Sequence, residues 1–215
     1  MKKFLMVLWA VTMIFGMASL VPGSEAMAAF SDFDAGLDEW TFSPSSEFSW
    51  SPTDGNPDGY VRFEDITGSP GYGFAPAKFL GDWSSLDGVG FISYDHKIFS
   101  TGYIGNNGIF PYEIEISGPT GSAIWTGLTP TGITDWITVM APLTESAWLV
   151  TGSWSDLLSS VTELRIMIEH VDNDNSSNRD ITGIDNVHLT PIPGAIWLLG
   201  SGLIGFVGTR KYFKK

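Results

Sequence analysis

Pro111-Tyr-Glu-Ile-Glu-Ile-Ser117 alternates apolar and acidic residues. In an extended chain this puts Tyr112, Ile114 and Ile116 on one side and Glu113 and Glu115 on the other, a strand with one dry face and one wet face. Four more segments read as strands: Tyr60-Val-Arg-Phe-Glu64, Gly90-Phe-Ile-Ser-Tyr-Asp-His96, Trp136-Ile-Thr-Val-Met140 and Glu163-Leu-Arg-Ile-Met-Ile-Glu-His170. Gly, Pro, Asn and Asp turns separate them, so the chain predicts an all-β fold, an antiparallel β-sandwich. One short connecting helix is expected after Ser153, because Ser153-Trp-Ser-Asp156 has capping-box spacing and Leu157-Leu158 supply an apolar side. Ser100 to Gly108 and Asp172 to Asp180 read as loops.

The two ends differ from this middle. Lys2 and Lys3 precede an apolar run from Phe4 to Val21, followed by small residues at Ala26, Ala28 and Ala29, the order of a secretory signal peptide over residues 1–28. At the other end an uncharged stretch after Pro193 is closed by Arg210, Lys211, Lys214 and Lys215. It predicts a transmembrane helix over about 194–209 with a cytoplasmic basic tail, leaving residues 29–190 outside the inner membrane.

Those 29–190 residues suffice for one domain with its own core. Of the 24 acidic residues in the chain, 23 fall here, against five bases (Arg62, Lys78, Lys97, Arg165 and Arg179), a net charge near −18. That balance argues against nucleic acid and anionic lipid as partners of the domain, since their recognition wants clustered Lys and Arg. The chain has no cysteine, so stability rests on core burial, with a hard cation such as calcium as the candidate addition. The same charge also serves solubility.

The sequence offers several sites and weakens others. Asp172, Asp174 and Asp180 form an oxygen-rich cluster suited to calcium or simply to a solvated loop. Asp54-Gly-Asn56-Pro-Asp58-Gly59 has the opening spacing of an EF-hand loop, but no Glu follows at the twelfth position, and a turn explains it. The histidines His96, His170 and His188 are scattered, with no zinc spacing. Glu113 and Glu115 need no catalytic role, because the wet face of a strand accounts for them, and no Gly-x-Ser-x-Gly elbow exists. Of seven tryptophans in the domain, Trp50 and Trp125 are the candidates for glycan contact, since turn-rich sequence surrounds them; the alternative for each is the core.

Two stretches carry family resemblances. Pro191-Ile-Pro193-Gly-Ala-Ile-Trp-Leu-Leu-Gly-Ser-Gly202 with its basic tail resembles the PEP-CTERM sorting signal over residues 191–215, with Pro-Ile-Pro in place of Pro-Glu-Pro. The resemblance implies a Gram-negative envelope protein in which Pro191 and Pro193 are read by an exosortase-type enzyme, with a link to exopolysaccharide and biofilm. Asp38-Glu-Trp-Thr41, Gly55-Asn-Pro-Asp-Gly-Tyr60, Phe74-Ala-Pro-Ala-Lys-Phe-Leu-Gly-Asp-Trp83, Leu164-Arg-Ile166 and Gly183-Ile-Asp-Asn-Val-His-Leu189 resemble the laminin B (laminin IV type A) domain. That likeness implies a jelly-roll sandwich, no catalytic activity, and a structural calcium joining first and last strands through Asp32 or Asp34 and Asp185. The function expected is a noncatalytic surface or matrix protein, then a glycan-binding module of the cell surface, and third an extracellular hydrolase.

Overall fold

A computed structural model describes residues 28–44, 47–66, 70–102, 108–171 and 179–191. The signal peptide expected over residues 1–28, as far as residue 27, Asp172, Asp174, Pro193, the helix expected over 194–209, Arg210 and Lys211 lie outside the described residues.

Within them the chain forms two six-stranded antiparallel sheets. The first contains β1 (Ala29–Ser31), β3 (Glu47–Ser51), β4 (Tyr60–Glu64), β6 (Gly90–Thr101), β9 (Ile137–Pro142) and β12 (Asp180–Pro191). Its order is β3-β4-β12-β6-β9, with β1 paired to β12 beyond the end of β4. The second contains β2 (Thr41–Phe42), β5 (Tyr72–Phe74), β7 (Tyr112–Gly118), β8 (Gly121–Gly127), β10 (Leu149–Gly152) and β11 (Glu163–Met167), ordered β10-β8-β7-β11-β5-β2.

The alternation read at residues 111–117 is the rule that packs the sheets together. Ile114 and Ile116 of β7 are fully buried, as are their cross-strand partners Ile166 and Leu164 of β11, while Glu113, Glu115, Glu163 and Arg165 point away from the core. The facing sheet contributes Val61, Phe63, Ile92, Tyr94, Ile184, Val187 and Leu189 to the same cluster. Trp83 and Trp40 fill it from the side, with their indole N–H groups satisfied by Phe79 O and Ser31 Oγ.

The expected helix is α1 (Trp154–Leu158). Ser153 caps it by accepting from the Asp156 N–H, and Trp154, Leu157 and Leu158 are buried beneath it. Several expected boundaries move. Strand β6 continues to Thr101, and β11 stops at Met167 although the chain stays buried to Val171. Asp180, expected in a loop, is the fully buried first residue of β12.

Candidate functional site

The outer face of the second sheet gathers polar and aromatic side chains in cross-strand rows. One row runs Leu149, Ile124, Glu115, Arg165, Phe74 and Thr41. Beside it lie Thr126 paired with Glu113, and Met167 paired with Tyr72. Arg165 stacks its guanidinium 4.6 Å from the Tyr72 ring centroid and forms an ion pair with Glu115. The Tyr72 hydroxyl donates to Glu113 Oε1 at 3.1 Å. Burial, and then the negative charge of Glu113, push that hydroxyl up to about 12, so it stays a donor at any physiological pH. A flat cation on a ring, two carboxylates and a hydroxyl are thus held in place by one another. Such a surface can stack on a sugar ring and hydrogen-bond its hydroxyls. At the end of the same hairpin, Phe110, Pro111, Leu128 and Thr129 line an open apolar cleft of about 260 Å³, and Leu128 is 98% exposed.

The first sheet carries a different cluster where β12 bulges between Asp185 and His188. Asn186 sits there with φ of 49°, a conformation that Asn tolerates better than most residues. Asp185 accepts from the Asn56 N–H (2.6 Å) and the Asn186 N–H (2.7 Å). Asp95, opposite it on β6, accepts from the side-chain amides of Asn56 and Asn186 and from the Thr138 hydroxyl. The loop after β3 is thereby pinned across the bulge. Gly59 is required in that loop: a Cβ there would lie 2.4 Å from Phe33 O. Burial, with Asp95 and Asp34 nearby, raises the Asp185 carboxyl to about 6.

This is the end-to-end junction anticipated for calcium. Asp185 lies near enough to Asp34 to feel its charge, yet both Asp185 oxygens already face N–H groups, and Asp32 Oδ1 accepts from the Asp34 N–H. Among the described residues no three His, Cys, Asp or Glu side chains come together in a way that could hold a metal. Burial raises the Asp185 carboxyl, outweighing the N–H bonds that lower it.

Asp180 belongs to a third cluster. Its Oδ2 accepts from the His170 and Val171 N–H groups at 2.7 and 3.1 Å, while its Oδ1 is buried without a hydrogen-bond partner. Burial raises its carboxyl to about 7 despite those bonds, with the charge of Asp65 adding to the effect.

The glycan candidates read from the sequence are placed elsewhere. Trp125 is on β8 opposite Ile114, half-buried against the core. Trp50 is on β3, 37% exposed, and its indole donates to Phe33 O at 2.6 Å. Neither lies in a turn, because both turn-rich neighbourhoods fold into paired strands. The sequence alone does not mark Tyr72, Phe74 and Arg165 as one site. The signal for Arg165 was present in the Leu164-Arg-Ile166 alternation, which makes it a wet-face residue. For Tyr72 and Phe74 there was none, since β5 has only three residues with a glycine at its centre.

No family model matches the chain, and no curated protein matches it significantly. Solved structures resemble it at low identity. An agarase is 13% identical over 77% of this chain and 25% of its own, with a TM-score of 0.52. A family 11 carbohydrate-binding module from Clostridium thermocellum, solved in complex with a β-1,3-1,4-mixed-linked tetrasaccharide, is 16% identical over 76% of this chain and 95% of its own, at 0.45. The L4b domain of human laminin alpha-2 is 14% identical over 60% and 79%, at 0.47. The chain spans about a quarter of the agarase's length, and its likeness to that structure is one of fold alone.

Proposed function

We propose that this domain is a noncatalytic glycan-binding module displayed outside the inner membrane, with the outer face of the second sheet as its binding surface. The observation that carries the reading is the network of Tyr72, Arg165, Glu113 and Glu115, whose members order one another on a rigid sheet. Binding of a sugar polymer costs little side-chain entropy there, since the rotamers are already held. Export through the N-terminal segment and sorting by an exosortase-type enzyme at Pro191-Ile-Pro193 complete the proposal, and these rest on the sequence alone. They give the module a place beside the cell's own exopolysaccharide.

The test is native gel electrophoresis of the purified protein through gels containing single polysaccharides, with release of reducing ends followed in parallel. At least one polymer should retard the protein, Tyr72→Ala and Arg165→Ala should abolish the retardation while the protein still unfolds in one cooperative transition, and no reducing ends should appear. Retardation that survives both substitutions would move the site off this face. Released sugar would make the protein a hydrolase.

A further inference from the structure

The charge of this face carries the glycan reading one step further, to the class of polymer. Arg165 is the one base among the outward side chains of β5, β7 and β11, and it is committed to Glu115 and to the Tyr72 ring. Glu113 is met by a neutral hydroxyl, so its charge is not cancelled. Glu163 lies one outward position from Arg165 on β11, close enough for each to feel the other's charge, though Arg165 directs its ion pair to Glu115. Three carboxylates and one guanidinium leave the face negative, within a domain whose net charge is near −18.

We infer that this surface is a selector: resting on the glycan-binding reading above, it takes polysaccharides without acidic groups and rejects those bearing uronate or sulfate, with Glu113 and Glu163 as the specificity-determining residues. The physical basis is like-charge repulsion. A sugar carboxylate or sulfate about 4 Å from one of these acids is disfavoured by about fivefold even at the dielectric constant of water, and among the described residues the face offers it no free cation in compensation. A neutral ring meets no such cost and keeps the carboxylates as hydrogen-bond acceptors for its hydroxyls.

The test uses matched polymers that share a backbone and differ in charge: a mixed-linkage β-glucan with its carboxymethyl derivative, and agarose with a sulfated galactan. Affinity electrophoresis of the purified protein is run with each at low and at high salt. The expected result is retardation by at least one neutral member and at least tenfold weaker retardation by its anionic partner, with the gap narrowing in high salt. Glu113→Gln combined with Glu163→Gln, which keeps the side-chain size and an acceptor for Tyr72, should raise the ratio of anionic to neutral binding several-fold, whatever the change in either alone. Equal binding of both members by the unsubstituted protein overturns the selector while leaving glycan binding intact. Failure of every polymer to retard the protein overturns both. A substituted protein that still discriminates as the original does removes Glu113 and Glu163 from the role.

Discussion

Asp180→Asn should stabilise this protein at pH 8 and do progressively less as the pH falls. The folded protein holds the Asp180 carboxyl at about 7 against an ordinary 3.8, because it is fully buried with one oxygen unpaired. Its proton is bound more tightly in the folded state than in the unfolded one. That contribution to stability is complete below about pH 4 and is lost as the pH rises through about 7. At pH 8 the buried ion therefore costs up to about 4 kcal/mol, at 1.36 kcal/mol for each pH unit between the two values. Asparagine carries no charge, and its oxygen can still accept from the His170 and Val171 N–H groups. Between pH 8 and pH 5 the advantage of the variant should shrink by about 3 kcal/mol, because wild-type Asp180 regains its proton over the interval from 7 to 5. For a domain of this size that is about 6 to 12 °C in the difference between the two unfolding midpoints. Thermal and urea unfolding at several pH values measure it directly. A difference between variant and wild type that does not change with pH would refute the assignment of the titrating carboxyl to Asp180.

Other outcomes follow from the same packing and hydrogen bonding. His96 and His170 are held down to about 4 by burial, so the unfolded chain protonates first; their contribution is present above about 6.5 and lost as the pH falls toward 4. In wild type this loss offsets the gain at Asp180 and Asp185, so stability should vary little between pH 7 and 5, whereas Asp180→Asn should become acid-sensitive in urea titrations. Calcium is tested by thermal unfolding in calcium and in chelator: an ion present at a hundred times its dissociation constant adds about 2.7 kcal/mol, whereas no change in midpoint would leave Asp185 held by its N–H donors alone. A drop in chelator that Asp185→Ala abolishes would place the ion at the junction. Ser153→Ala removes the cap of α1 and should cost about 1 kcal/mol by urea unfolding, against 2–5 kcal/mol, by the usual range, for Ile114→Ala in the core.

The sequence by itself determined the parts whose cause is local. The period of two at Tyr112 to Ser117 decided which residues of β7 meet the core, since a strand's side chains alternate whatever surrounds them. The cap at Ser153 was legible for the same reason: an N-terminal serine satisfies an N–H three residues on, within its own turn. Tertiary structure decided what depends on pairing. Whether Trp125 faces sugar or core follows from its register opposite Ile114, which no turn-rich neighbourhood reveals. Asp180 lies in the core because it pairs with Thr101 as the first residue of β12, and Asp185 found Asn56 because the loop after β3 closes over the bulge, 129 residues away in sequence. The candidate site is the clearest case. Tyr72, Arg165, Glu113 and Glu115 come from three strands with no common motif, and only the order β7-β11-β5, set by backbone hydrogen bonding across the sheet, brings a ring, a guanidinium and two carboxylates onto one face.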